Sequence, residues 1–245
     1  MLHRSEERIA HFFAARARDV TPAQLRGGAH VLYLPALRDE GMTRNFGAVL
    51  SEVERQRASR FANAADTTRF VQRRAFRRFC GATALGVGRP LASIAFEETS
   101  TGRPHLADAP NLQFGFSSCR SGILGTWSST HELGVDIEDR TQNLSPIDIA
   151  EMHFTEREAR AVATSYGRLC IDTFLLFWCL KEAALKSIDQ GLPYGLDAFV
   201  FDLSPALRVV RAPACHGGPT SFTPYRLDGT GACAALVVHH RPQSA

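Results

Sequence analysis

Apolar and polar residues are distributed along the chain in a way that predicts a mixture of helices and strands. Short apolar runs bounded by turn residues predict strands at residues 30–35, 92–97, 112–116, 122–128, 133–138, 198–203, 206–211, 222–227 and 232–239. Helical periodicity predicts two helices within 45–81, one opening at Thr155 with Glu158 as its capping-box partner, and one over 172–188. Because these elements do not alternate as βαβ units, they indicate an α+β fold with antiparallel sheets.

A domain boundary near residues 128–133 would split the chain into two lobes of similar size. The 245 residues suffice for one large domain or two small ones. We expect an N-terminal lobe at residues 1–130 and a C-terminal lobe at residues 131–245.

Composition and charge exclude several classes of protein. A net charge of +3 is too small for a dedicated nucleic-acid binder. The six cysteines lack the spacing of a zinc site and favour reduced thiols in a cytoplasmic protein. The charged N-terminus does not resemble a signal peptide, and the apolar runs are too short to span a membrane.

Lysine is rare in this chain, although basic residues are not. Of the 28 Lys and Arg residues, only Lys181 and Lys186 are lysine. A bias toward arginine is typical of GC-rich coding, but it draws attention to the helix that contains both lysines.

The strand at residues 133–138 is expected to place two carboxylates on one face. Asp136 and Glu138 alternate with Val135 and Ile137, so the acids share one side of the strand and the apolar residues the other. The pair is compatible with a divalent cation such as Mg²⁺. It is also compatible with an exposed edge strand that carries two solvated acids.

The helix over 172–188 strengthens the metal hypothesis. Trp178, Glu182 and Lys186 follow i, i+4, i+8 spacing and therefore lie along one face. The remaining positions are largely apolar, so charged residues within this helix are costly unless they are paired or ligated. Either Glu182 is a third oxygen ligand, with the lysines placed for a phosphate or a nucleophile, or Glu182 and Lys186 form an internal ion pair.

These two segments resemble the paired signature of 4′-phosphopantetheinyl transferases of the larger, surfactin-synthetase-activating type. The first is Gly-Val-Asp-Ile-Glu at 134–138, and the second is Trp-x-x-Lys-Glu-Ala-x-x-Lys at 178–186. Weaker similarities lie in Gly-Arg-Pro-His-Leu at 102–106, in Phe-Thr-x-x-Glu at 154–158, and in the basic segment over 60–69. The resemblance covers about residues 60–203.

The resemblance implies a fold, a reaction and partners. Two similar α/β lobes would be related by a pseudo-twofold axis, with coenzyme A in the cleft between them and each chain acting as a monomer. The 4′-phosphopantetheine arm of coenzyme A would be transferred to a serine of an apo carrier protein, and 3′,5′-ADP would be released. Carriers of the acyl (fatty-acid), polyketide and nonribosomal-peptide types all remain open.

The resemblance also implies roles for individual residues. The residues implied to bind Mg²⁺ are Asp136, Glu138 and Glu182. The implied catalytic residues are Glu182, a candidate for activating the serine hydroxyl either directly or through a metal-bound water, and Lys186, which would stabilise or orient the attacked phosphate. The residues implied to contact coenzyme A are Arg69, Arg103, His105, Ser117, Lys181 and Lys186.

One position departs from the family pattern. Ser118 stands where the family usually has a histidine that contacts the 3′-phosphate of coenzyme A. A hydrogen bond to a charged group contributes roughly 1.5–3 kcal/mol, so we expect weaker binding of coenzyme A unless Arg69, Arg103 or Arg120 compensates. This departure leaves open a second hypothesis, a non-catalytic relative that binds coenzyme A or a carrier protein.

Overall fold

The structure, a computed structural model, describes residues 2–25, 27–37, 45–86, 88–140 and 145–240. The described helices, in chain order, are α1 (Leu2–Arg16), α2 (Glu52–Ala58), α3 (Ala64–Leu85), α4 (Pro146–His153), α5 (Glu156–Ala163) and α6 (Arg168–Ser187). The described strands are β1 (Arg18–Asp19), β2 (His30–Pro35), β3 (Phe96–Glu98), β4 (Pro104–Leu106), β5 (Gln113–Cys119), β6 (Gly122–Ser128), β7 (Glu132–Glu138), β8 (Val200–Asp202), β9 (Arg208–Arg211), β10 (Phe222–Arg226) and β11 (Cys233–His239). None of these helices combines the length and apolar character needed to cross a bilayer.

The strands form two main antiparallel sheets and two hairpins. The first sheet has the order β1-β2-β6-β5, and the second has the order β10-β11-β7. The hairpins are β3-β4 and β8-β9. This arrangement confirms the predicted α+β class.

The same order of connections occurs twice along the chain. In the first half, β2 leads through α3 and the β3-β4 hairpin to the consecutive strands β5 and β6, and β6 pairs with β2. In the second half, β7 leads through α6 and the β8-β9 hairpin to β10 and β11, and β11 pairs with β7. Residues 130 and 131 lie in the turn between the two patterns. The lobe boundary and the pseudo-twofold axis remain predictions.

Alternation along the strands produces a layered core. One face of β7, with Leu133, Val135 and Ile137, packs between the two sheets together with residues of β2, β6 and β11. The outer face of the first sheet packs against α1 and α3. The outer face of the second sheet packs against α6. The other face of β7 therefore points toward α6, and this orientation positions the site.

Candidate active site

β7 and α6 come into close backbone contact at Gly134. A Cβ atom added to Gly134 would lie 1.8 Å from the carbonyl oxygen of Ala183 and 2.5 Å from the amide nitrogen of Ser187. Both are backbone atoms of α6, so this position of β7 has room only for glycine. Gly134 therefore sets the distance at which Asp136 and Glu138, on the same face of β7, meet the side chains of α6.

Asp136 and Lys186 stand at the centre of a group that we call the acidic cluster: Ser117, Asp136, Glu138, Glu182 and Lys186. Lys186 Nζ lies 2.6 Å from Asp136 Oδ1 and 3.5 Å from Glu182 Oε2. Ser117 on β5 donates from Oγ to Asp136 Oδ1 at 2.8 Å. Asp136 is only 3% exposed, which rules out the alternative of a solvated acid at that position. The predicted i, i+4 pair of Glu182 and Lys186 forms, but Asp136 is the closer partner of the lysine.

Burial and mutual repulsion raise the pKa values of Glu138 and Glu182 in the acidic cluster. Burial, followed by the charge of Asp136, raises the pKa of Glu138 to about 7, although Lys186 acts in the opposite direction. Burial also raises the pKa of Glu182, against the pull of Lys186. For Lys186, burial acts to lower the pKa, but the attraction of Asp136 and Glu182 outweighs it and the pKa rises. The cluster therefore carries more negative charge than one ammonium can offset.

The donor chemistry of the acidic cluster fits a hard divalent cation. Asp136, Glu138 and Glu182 offer the oxygen ligands that Mg²⁺ takes in proteins. Asp136 Oδ2 is buried and makes no hydrogen bond to any described residue, so this acceptor is available to a ligand. Within the described ranges, however, no three His, Cys, Asp or Glu side chains are already grouped as a metal site. Mg²⁺ binding therefore remains a prediction.

An arginine-lined cleft of about 1160 Å³ is bordered by Ser118 and Asp139, which adjoin Ser117 and Glu138 of the acidic cluster in the chain. Its walls come from the first turns of α3, the end of β2, the β5-β6 turn and the residues that follow β7. The arginines that line it are Arg57, Arg69, Arg73, Arg120 and Arg140. Ser118 also lines it, and the described acids in its wall are Asp66 and Asp139. Because guanidinium groups bind phosphates through paired hydrogen bonds, this cleft is suited to an anionic ligand.

Asp139 connects the arginine-lined cleft to the acidic cluster. Its carboxylate accepts hydrogen bonds from the Arg120 amide at 2.6 Å and the Ser121 amide at 3.2 Å, and another from the Ser121 hydroxyl. These donors form the β5-β6 turn, whereas Asp139 directly follows Glu138 of β7. The turn that borders the cleft is therefore held against the strand that carries the cluster.

Comparison with known proteins relates this arrangement to a family. Residues 132–235, which contain β7 and α6, match the 4′-phosphopantetheinyl transferase superfamily. A 4′-phosphopantetheinyl transferase of Bacillus pumilus is 28% identical over 141 residues, which are 57% of this chain and 58% of that protein. Both comparisons support the 4′-phosphopantetheinyl transferase superfamily as the family to which this chain is similar.

Further members of the superfamily show how much of each protein is shared. A phosphopantetheinyl transferase of Thraustochytrium sp. is 26% identical over 208 residues, 79% of this chain and 72% of the relative. The human L-aminoadipate-semialdehyde dehydrogenase-phosphopantetheinyl transferase is 27% identical over 163 residues, 62% of this chain and 52% of the relative. The chain therefore spans less than two thirds of the length of the Bacillus and human relatives.

Lys181 does not have the ligand-binding role that the superfamily resemblance implied. The predicted phosphate contact is wrong, because the side chain is fully buried on another side of α6 from Lys186. Lys181 Nζ lies 2.8 Å from Glu158 Oε2 and donates to the carbonyl oxygens of Leu196 at 3.0 Å and Phe199 at 2.6 Å. These acceptors satisfy the three ammonium protons. Glu158 forms the predicted capping box at the start of α5 and also neutralises this buried lysine.

Three further residues were expected to contact coenzyme A as in members of the superfamily, and they lie in different places. Arg69 lines the arginine-lined cleft. Arg103 points toward α6, where it donates from Nη2 to the carbonyl oxygen of Lys186. His105 lies opposite Glu97 in the β3-β4 hairpin, with Nε2 3.5 Å from the Glu97 carboxylate. The contacts of all three residues with coenzyme A remain predictions.

Sequence reasoning missed two residues that shape this superfamily site. Gly134 did carry a signal, because glycine inside a predicted strand indicates a close approach of another backbone. Asp139 carried none, since its partners Arg120 and Ser121 are distant in sequence and two of its three hydrogen bonds come from backbone amides.

Proposed function

We propose that this protein transfers the 4′-phosphopantetheine arm of coenzyme A to a serine of an apo carrier protein and releases 3′,5′-ADP. The main support is the ammonium of Lys186, which sits between the carboxylates of Asp136 and Glu182 at 2.6 and 3.5 Å. Phosphoryl transfer depends chiefly on positioning and charge neutralisation, and Ser118 and Asp139, the chain neighbours of two residues of this cluster, line a cleft suited to phosphates. The names of the relatives point to the same reaction.

In this proposal the arginine-lined cleft binds the phosphate groups of coenzyme A. Arg69 and Arg120 line the same cleft as Ser118, so guanidinium groups are present near the position that lacks the family histidine. Arg120 is 70% exposed and its side chain has room to turn toward a ligand. These arginines are the proposed compensation for Ser118.

Asp136, Glu138 and Glu182 are the proposed ligands of Mg²⁺. When bound, the ion neutralises charge on the pyrophosphate. Asp136 is held in place by hydrogen bonds from Ser117 and Lys186 to Oδ1, and its other carboxylate oxygen, which has no hydrogen-bond partner among the described residues, would be a ligand of the ion. The Lys186 side chain is 35% exposed, and its ammonium would orient the attacked phosphate.

The proposed transfer forms one bond and breaks one. The carrier serine Oγ bonds to the phosphorus that bears the pantetheine arm, and the bond from that phosphorus to the bridging oxygen breaks. The leaving group is 3′,5′-ADP. Glu182 is the proposed acceptor of the serine proton, and burial raises its pKa, which favours proton uptake.

Mass spectrometry of a carrier protein tests the proposal directly. An apo carrier protein incubated with this protein, coenzyme A and Mg²⁺ should gain the mass of one phosphopantetheine arm. Glu182→Gln should abolish the gain, whereas the control Glu156→Gln, at a glutamate that is 87% exposed, should leave it intact. Failure to modify acyl, polyketide and peptidyl carriers alike would overturn the proposal.

A non-catalytic relative is the second candidate, and it rests on Ser118 alone. Such a protein would bind coenzyme A without modifying any carrier. Calorimetry with coenzyme A separates the two, since unmodified carriers together with tight coenzyme A binding would support a binding module. The acidic cluster disfavours it, because a protein that only binds has no need to hold Lys186 against buried Asp136.

Three finer properties are part of the same proposal. The protein is expected to act as a monomer in the cytoplasm, where its six cysteines would remain the free thiols that the structure shows. The preferred carrier class follows from comparing transfer rates to acyl, polyketide and nonribosomal-peptide carriers under identical conditions. Size-exclusion chromatography with light scattering tests the oligomeric state.

A further inference from the structure

The C-terminal end of α6, one residue beyond Lys186, is closed in an unusual way. The Asp189 amide donates to the carbonyl oxygen of Lys186 at 3.2 Å, and the Gln190 amide donates to Leu185 at 2.9 Å. This is a Schellman closure, in which the left-handed position normally holds glycine. Here that position is Asp189, with φ of +57°. The chain therefore keeps a carboxylate where glycine would adopt the backbone conformation at lower cost.

The carboxylate of Asp189 is used by the turn between β3 and β4. Thr101 donates from Oγ1 to Asp189 Oδ1 at 2.5 Å, and Arg103 Nε lies 3.6 Å from the same oxygen. Arg103 Nη2 donates to the carbonyl oxygen of Lys186. On the other side, Arg103 Nη1 lies 3.9 Å from Glu132 Oε1 at the start of β7. Only 11% of the Arg103 side chain is exposed, so protein groups surround the guanidinium.

The charge and shape of Arg103 suit this helix end. The last carbonyl groups of a helix lack partners within the helix and carry partial negative charge, which a buried cation offsets. The planar guanidinium can hold a carbonyl and carboxylates at the same time, whereas an ammonium is a point charge. Arg103 thereby joins three elements: the β3-β4 turn, the start of β7 and the end of α6.

We infer that Arg103 and Asp189 are positioning residues that hold Lys186 in register with Asp136. The inference deepens the proposed function and rests on it. It assigns to Arg103 a role different from the coenzyme A contact implied by the family resemblance. Lys186 lies in the last turn of α6, where helices fray most readily, and its contact with Asp136 at 2.6 Å depends on that turn staying closed.

Steady-state kinetics of Arg103→Met separates positioning from ligand binding. Misplacing a reacting group by about 1 Å costs up to about a hundredfold, so kcat should fall by about tenfold to a hundredfold while the KM for coenzyme A changes by less than about twofold. A residue that binds coenzyme A would instead raise this KM. The matched control is Arg89→Met, at an arginine that is 52% exposed, and it should retain wild-type constants.

Asp189→Gly provides a second test that does not depend on the folding of the Arg103 variant. Glycine relieves the left-handed backbone, so the Tm should stay the same or rise. The same variant should lower kcat, because it removes the carboxylate that holds the turn. If Asp189 has a merely structural role, the substitution should lower the Tm and leave kcat unchanged.

Hydrogen exchange at the Lys186 amide measures how readily the last turn of α6 opens, without any activity assay. Labelling with ¹⁵N-lysine gives backbone amide signals from two residues, Lys181 and Lys186. In Arg103→Met and Asp189→Gly, exchange at Lys186 should quicken by about tenfold or more as the last turn opens, while Lys181 keeps its wild-type rate.

The outcomes distinguish this inference from the proposed function. Absence of transfer by the wild-type protein would refute the function, and the exchange experiment would still show whether the end of α6 depends on Arg103 and Asp189. With transfer established, unchanged kcat in Asp189→Gly, a raised KM without loss of kcat in Arg103→Met, or unchanged exchange at Lys186 would overturn the positioning role.

Discussion

Substituting Gly134 with alanine should separate β7 from α6 and disable the acidic cluster. The added Cβ would lie 1.8 Å from the Ala183 carbonyl oxygen, and real Cβ atoms essentially never come closer than 3.0 Å. The helix must therefore retreat by about 1.2 Å, because the obstacle is backbone. Overpacking of this kind costs about 1–3 kcal/mol of unfolding free energy. The shift also carries Lys186 away from Asp136, and a displacement near 1 Å lowers kcat by about a hundredfold.

Urea unfolding and transfer kinetics measure the two effects of Gly134→Ala separately. Gly47→Ala is the matched control, because a Cβ there would meet nothing within 4 Å. It should change the unfolding free energy by no more than a few tenths of a kcal/mol and leave the transfer rate at the wild-type value. If Gly134→Ala unfolds at the wild-type urea concentration and transfers the arm at the wild-type rate, the close approach of β7 and α6 does not govern the site.

Three other predictions concern the charged groups of the site and of the core. Burial raises the pKa of Glu138 from its ordinary value of 4.5 to about 7 in the folded protein. Between these two pH values the folded, metal-free protein therefore binds one more proton than the unfolded chain. Its unfolding free energy should fall as pH rises through that window. Glu138→Gln should flatten the slope in thermal or urea unfolding. Lys181→Met leaves Glu158 buried without its cation and should cost about 3–5 kcal/mol in urea unfolding, whereas a phosphate-contact role would spare stability. Brief acetylation of the folded protein should modify Lys186, which is 35% exposed, and not Lys181, which is fully buried; peptide mass spectrometry showing both lysines equally modified would contradict the burial.

Much of the fold follows from local sequence patterns. β2 and β6 have the predicted bounds, because clear turns flank both apolar runs. β4 escaped prediction because its three residues are extended only through pairing with β3. The short helix α4 escaped because it buries a single residue, Ala150, and so shows little apolar periodicity.

The candidate site was predictable where strand and helix periodicity define a face. That logic placed Asp136 and Glu138 on one face of β7 and Glu182 and Lys186 on one face of α6, and the structure shows Asp136 and Lys186 in contact. It failed for Lys181, because the carbonyl groups of Leu196 and Phe199 that hold its ammonium come from a segment after α6. Spacing in the sequence states which side of a helix a residue occupies, but not what the rest of the chain folds against that side.

The hydrogen bonds between Asp139 and the β5-β6 turn fix the distance between the arginine-lined cleft and the carboxylates of the acidic cluster. Since Asp139 adjoins Glu138 and grips the backbone of Arg120 and Ser121, the spacing between cleft and carboxylates is set before any ligand arrives. A ligand that must place one phosphate among the arginines and another at the carboxylates is then selected by its length. If coenzyme A is that ligand, its dephosphorylated analogue, which has no 3′-phosphate, is too short to contact the arginines and the carboxylates at the same time.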